Sequence, residues 1–279
     1  MAEAPVQDAL QDTMKDVKHI IAVASGKGGV GKSTTSVNLA LALAKQGAKV
    51  GMVDADVYGP SLPMMLGISD GTRPEVFEQK FFVPVEAQGI KSMSMGYLAT
   101  EQTPMVWRGP MASGALLQIL TQTMWGDLDY LVVDMPPGTG DIQLTLAQKA
   151  QLSGAVIVTT PQDIALLDAR KAIEMFRKVN IPILGIVENM AVHSCSQCGH
   201  QEHIFGEGGG ERVAEEYGTE VLGALPLSLE IREHADSGKP SVMSDPNGTA
   251  ATAYGQIASK VAAILADKAS PGGPEIVIE

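Results

Sequence analysis

Short, almost uninterrupted apolar runs alternate along this chain with longer amphipathic stretches. HIIAVAS (19–25) is followed by a Gly-rich turn and a helical pattern from Lys32 to about Gln46. The next run, AKVGMVDAD (48–56), arrives at the spacing of a βαβ unit. LDYLVVDMP (128–136), GAVIVTTP (154–161) and IPILGIVENM (181–190) repeat the theme, with amphipathic segments near 109–125, 141–151 and 163–179. EVLGALP (220–226) is the last such run, ahead of helical patterns near 228–237 and 249–267. Strands that lack polar alternation are buried on both faces, so the pattern predicts an α/β fold, a mostly parallel twisted sheet with helices on both sides. The weaker segments at 76–86 and 89–95 are expected to form a further hairpin or edge strands. Residues 1–18 are polar and read as an N-terminal arm, 19–268 as one domain, and 269–279 as an acidic tail broken by Pro and Gly.

Composition narrows the function classes. Lys and Arg number 20 against 32 Asp and Glu, a net charge of -12, which disfavours broad nucleic-acid binding and docking on anionic membranes. No apolar run reaches the roughly 18–20 residues of a membrane span. The N-terminal MAEAPVQDALQDTMKDVKH has neither the layout of a secretory signal nor the Arg-rich character of a transit peptide. The expectation is a cytoplasmic protein with no nucleic-acid and no membrane partner. The 2 cysteines, Cys195 and Cys198, form a single C-x-x-C pair, so this is no disulfide-built scaffold.

Chemistry concentrates in three places. Gly26-Lys27-Gly28-Gly29-Val30-Gly31-Lys32-Ser33, with Thr34 after it, fits G-x-x-x-x-G-K-[ST] directly after an apolar strand and at the opening of a helix. Glycines let successive backbone N–H groups turn toward an anion, and the helix N-terminus adds partial positive charge. Lys32 is placed to reach β- and γ-phosphates and the Ser33 hydroxyl to ligate Mg²⁺. Asp134 ends the run LVVD as a carboxylate supporting Mg²⁺ through water, and Gly138 stands where a backbone N–H could meet a γ-phosphate. Asp54 and Asp56 end the second run, and only one of the two is expected to face the phosphate cavity directly.

These residues carry a resemblance. Lys27 inside the loop resembles the deviant Walker-A signature of the MinD/ParA/nitrogenase-iron-protein superfamily of P-loop NTPases. GKGGVGKST, DADVYGPS (54–61), DMPPGTGD (134–141), ENM (188–190) and the C-x-x-C together resemble the Mrp/ApbC family of iron–sulfur carrier ATPases, over roughly residues 18–265. The resemblance implies a homodimer sandwiching ATP, with Lys27 reaching the partner's phosphates. It further implies that Asp56 orients the attacking water, Asp54 supports Mg²⁺, and Asn189 and the segment around Pro226 hold adenine. The implied partners are apo iron–sulfur proteins and cluster scaffold proteins.

The third place is HSCSQCGHQEH (193–203). A [4Fe–4S] cluster takes four thiolates, and two protomers each supplying Cys195 and Cys198 would provide them. Cys195, Cys198, His200 and His203 could alternatively hold zinc within one chain, although the Cys-to-His spacing is far shorter than in ordinary fingers. A redox dithiol or an inert loop pair are further readings. Three functions compete accordingly: an ATP-dependent iron–sulfur carrier, a ParA- or MinD-type positioning ATPase with a structural zinc, and a nitrogenase-reductase-like electron donor. The positioning ATPase would need a basic surface or helix, whereas TAATAYGQIASKVAAILADKAS holds 2 Lys and no Arg. Met93, Met95, Met105, Met111 and Trp107 are expected as core or dimer packing.

Overall fold

The computed structural model describes residues 13–98 and 109–269. Most of the N-terminal arm, nearly all of the C-terminal tail, and Met105 and Trp107 lie outside them. The principal sheet holds β1 (Val17–Ala24), β2 (Val50–Asp54), β5 (Val85–Ala87), β6 (Ile90–Ser94), β7 (Leu128–Asp134), β8 (Gly154–Thr159), β9 (Ile183–Glu188) and β12 (Val221–Ala224), with β3 (Val76–Phe77) and β4 (Phe81–Phe82) forming a separate hairpin. The strand order is β12-β9-β8-β1-β7-β2-β6-β5, parallel throughout except for β5, which runs antiparallel to β6 at the edge. The expected mostly parallel sheet is therefore present. Its first strand begins at Val17, two residues inside the expected arm.

The alternation along β1 builds the layers. Ile20 and Ala22 point into one apolar cluster and Ile21 and Val23 into another, all four buried. The first cluster is closed by α3 (Gly109–Gln122), α4 (Asp141–Lys149), α5 (Asp163–Lys178) and α6 (Gly209–Tyr217). The second is closed by α1 (Lys32–Lys45), the short α2 (Leu62–Met65) and α8 (Ser241–Ser244), and α9 (Thr249–Ala269). Between β12 and α8 lies α7 (Leu229–Asp236). Met93 and Met95 are core residues as expected, while Met111 is 60% exposed. Among the described residues no helix is long and apolar enough to cross a membrane.

Parallel strands bring their C-terminal ends to one edge, the edge at which open α/β sheets bind ligands. β1 ends there in the Gly-rich loop, β2 in Asp54, β7 in Asp134, and β9 in the segment leading to the cysteines. Segments 76–86 and 89–95 give two hairpins, and β6 pairs with β2 inside the principal sheet.

Candidate functional site

The loop from Ser25 to Lys32 wraps a cavity of about 220 Å³ lined by Ser25, Gly28, Gly29, Gly31, Lys32, Ser33, Thr34, Asp56, Ser61, Met65 and Pro137. Gly29 (φ 80°) and Gly31 (φ 82°) occupy the left-handed region, which lets the loop close on itself before α1. Gly26 is needed for a different reason. A Cβ there would lie 2.0 Å from the carbonyl oxygen of Asp168, so the loop rests against the backbone of α5.

Lys32 is buried, and its Nζ donates to Asp134 Oδ1 at 2.7 Å and to Ser33 Oγ at 3.2 Å. Ser36 Oγ, one turn along α1, donates to the same Asp134 oxygen at 2.7 Å. Nothing in the linear motif marked Ser36, although the four-residue offset from Lys32 puts both on one helix face. Hard oxygens from Ser33 and Asp134 thus stand close to the loop, a donor set suited to Mg²⁺.

The two aspartates of the second run separate cleanly. Residues two apart on a continuing strand would share a face, but β2 stops at Asp54 and the chain turns away. Asp56 lines the cavity, with its Oδ1 accepting from the N–H of Tyr58 at 3.2 Å. Asp54 is fully buried beneath it. Its carboxylate accepts from the N–H groups of Asp56, Ser61 and Leu62 at 3.1, 3.0 and 3.1 Å and from Ser94 Oγ at 3.1 Å. Burial, reinforced by the nearby charge of Asp134, pushes the Asp54 carboxyl up to about 7.

Gly138 donates its N–H to Ser25 O at 2.9 Å, tying the turn after β7 to the loop. Asn189 is buried, its Nδ2 donating to Val30 O at 2.8 Å, so it braces the loop from below. Pro226 lies apart, in a cavity of about 570 Å³ shared with Cys195 and His193. Lys27 is half-buried, and its carbonyl accepts from Ser25 Oγ at 2.8 Å.

The cysteines sit on the tip of a ribbon made by β10 (His193–Ser194) and β11 (Gln201–Glu202). The turn is closed by Cys195 N–H to His200 O and Gly199 N–H to Cys195 O, both at 2.9 Å. Cys198 is exposed and Cys195 half-exposed. Backbone N–H groups of Gln197 and Cys198, together with the Cys198 thiol, hold the Cys195 thiol below its ordinary value. His203 turns away, its Nδ1 2.8 Å from Ala191 O, while His200 Nε2 lies 3.8 Å from Glu202. Among the described residues no group of three or more His, Cys, Asp and Glu side chains is arranged to share one metal ion.

A family profile described as ParA, NUBPL iron-transfer P-loop NTPase, matches residues 16–262. An iron-sulfur cluster carrier protein from Pseudomonas fragi is 68% identical over 88% of this chain and 85% of its own length. A protein of the same description from Escherichia coli is 59% identical over 91% of this chain and 69% of its own. The iron-sulfur cluster transfer protein NUBPL of Mus musculus is 53% identical over 94% and 81%. Among solved structures, a nucleotide-binding protein from Archaeoglobus fulgidus in complex with ADP, with Co found by PIXE, superposes with TM-score 0.74 at 40% identity, covering 84% of this chain and 91% of that one. The Pyrococcus furiosus cell division ATPase MinD shares the fold, with TM-score 0.69 at 24% identity over 89% of this chain and all of that one.

Proposed function

The chain belongs to the ParA family of NUBPL-type iron-transfer P-loop NTPases, and on that premise we propose that it is a slow, cytoplasmic ATPase that carries a [4Fe–4S] cluster. The cluster is bridged across a homodimer by Cys195 and Cys198 of each protomer and passed to apo iron–sulfur proteins after loading from a scaffold protein. The observation that carries this reading is the thiol pair at the ribbon tip, around which, among the described residues, no third His, Cys, Asp or Glu is arranged to share a metal ion. Two thiols leave a cluster half-ligated, and a two-fold axis completes the set. A zinc held by Cys195, Cys198, His200 and His203 would need both histidines turned toward the thiols, whereas His203 is turned to Ala191. The Archaeoglobus relative's ADP and the cluster-carrier descriptions of the closely similar relatives support the same reading.

In the nucleotide site, the loop N–H groups and Lys32 bind and orient the phosphates, while Ser33, with Asp134 and Asp54 behind it, would hold Mg²⁺. Bound there, the metal would supply charge neutralisation to the phosphates. Asp56 orients the attacking water from the cavity wall. Lys27 of the partner protomer contributes positive charge where the transferring phosphoryl group spreads its own. Asn189 receives the base, whereas Pro226, in the separate cavity beside Cys195, is not assigned to it.

Anaerobic reconstitution tests the cargo. The expected result is about four irons and four sulfides per dimer, lost in both Cys195→Ser and Cys198→Ser. One zinc per chain and no sulfide would overturn the carrier reading.

A further inference from the structure

The nucleotide loop and the cysteine ribbon are joined by a short strap with an unusual build. Asn189 follows directly on β9, and both ends of its side-chain amide are engaged by backbone. Nδ2 donates to Val30 O at 2.8 Å, and Oδ1 accepts the N–H of Met190 at 2.9 Å. The next residue, Met190, has φ 57°, a left-handed conformation that a side chain of this kind rarely adopts. Ala191 is then fixed from two sides, its N–H donating to Leu225 O at 2.9 Å and its carbonyl facing His203 Nδ1 at 2.8 Å. His203 lies just beyond β11, so the ribbon that bears Cys195 and Cys198 is held against the strap at that strand. His193 Nδ1 lies 3.2 Å from Leu227 O on the other side.

The upper end of this strap grips a sensitive place. The carbonyl that Asn189 holds and the N–H of Gly31 belong to one planar peptide unit. Gly31 lines the phosphate cavity, so any turn of its N–H toward an anion turns the Val30 carbonyl by the same angle. Asn189 lies hard against the loop. A Cβ on Gly31 would come within 2.1 Å of Nδ2, which measures how closely the amide is pressed against the loop. One Nδ2 hydrogen remains for a base, so bracing the loop and meeting adenine are compatible.

We infer that Asn189 is a positioning residue that couples occupancy of the phosphate loop to the exposure of Cys195 and Cys198, through Met190, Ala191 and His203. The strained Met190 is the element that stores the two arrangements, because a residue held in a sparsely populated region persists only while its neighbours insist on it. The inference rests on the nucleotide half of the proposed function and is independent of the cargo. It needs no cluster to be tested.

The experiment is the rate of iodoacetamide labelling of Cys195 and Cys198, read by mass spectrometry, in the metal-free protein with and without ADP. ADP is used at saturation, fixed for each variant by its own titration. In the wild type the two rates are expected to differ about fivefold or more, the lower end of ordinary coupling between sites. In Asn189→Ala, which also loses the amide that meets the base and so binds ADP more weakly, the ratio should fall to about one at the saturating ADP fixed by its own titration. Met190→Gly, which suits φ 57° and leaves every hydrogen bond of the strap in place, should also shrink the ratio without loss of fold. A global loosening would raise both rates together and leave the ratio, so the ratio separates positioning from mere stability. A wild-type ratio of one, or a ratio preserved in Asn189→Ala, overturns the inference. Failure of the wild type to bind ADP overturns it together with the nucleotide reading, whereas failed cluster reconstitution touches the cargo alone.

Discussion

Lys32 Nζ and Asp134 Oδ1 are 2.7 Å apart, and their side chains are 6% and 1% exposed. The pair joins the first turn of α1 to the end of β7 across the floor of the phosphate cavity. On the proposed nucleotide reading, the lysine that would meet phosphates is here paired with a carboxylate, so binding would exchange one partner for another.

That exchange makes Lys32→Ala doubly costly. It removes the cation proposed to meet the β- and γ-phosphates, and among the described residues it leaves buried Asp134 with the Ser36 hydroxyl. Losing one member of a buried pair costs about 3–5 kcal/mol. ATP binding, followed by fluorescence of a labelled nucleotide, should vanish, and the urea midpoint should drop. Binding at the wild-type level would remove Lys32 from the site.

Lys27 gives the opposite pattern. It does not line the cavity of its own chain and is half-buried at the loop's start. Lys27→Ala should therefore spare most ATP binding and reduce phosphate release by about 10³-fold or more, the value of a cation supplied from a partner. In the wild type, turnover per chain should also rise with protein concentration until the dimer saturates. Normal turnover in the variant would sink the trans-acting role.

Asp54 predicts a pH dependence. Its carboxyl is raised from 3.8 in the free state to about 7 by burial and by Asp134. Protonated Asp54 thus contributes stability that is complete below about pH 4 and is lost as pH rises through about 7. Asn cannot ionise. Wild type should lose stability relative to Asp54→Asn between about pH 5 and about pH 8, by up to roughly 1 kcal/mol per pH unit. Urea unfolding of both proteins at the two pH values reads this directly. A difference between them that stays constant with pH would show that Asp54 does not titrate in this window.

Much of the fold is legible in the sequence. The parallel strands announce themselves because burial on both faces demands apolar side chains at successive positions, as in β8 and β9. β6 was harder to place. Lys91, Ser92 and Ser94 interrupt its apolar pattern, and the structure makes them tolerable one by one. Lys91 Nζ donates to Trp125 O, Ser92 Oγ to Val85 O, and Ser94 Oγ to Asp54. The role of Asp54 in holding the turn at Ser61 and Leu62 depends on contacts seven and eight residues away, with no local periodicity to betray them. The cysteine ribbon has strands of two residues, too short for any pattern to develop. The strap at Asn189 reaches 159 residues back to Val30, a distance that only the parallel sheet closes.

The two glycines that open the loop should respond differently to a single methyl group. At Gly26 a Cβ would meet backbone atoms of α5, the Asp168 carbonyl at 2.0 Å and Ala169 N at 2.7 Å, and backbone cannot swing aside as a side chain can. At Gly28 the nearest atoms are 4.0 Å away, on Pro137, and the space is open cavity. Gly26→Ala should therefore lower stability by about 1–3 kcal/mol through overpacking, shifting α5 away from β1. Gly28→Ala should leave the melting temperature within a degree or two, a change of about 0.5 kcal/mol or less, and weaken nucleotide binding instead by crowding the phosphates. Thermal melting paired with nucleotide titration on both variants separates the two effects. Equal melting temperatures for the two would mean that the loop does not rest on α5, and that Gly26, like Gly28, is required by the ligand rather than by the packing.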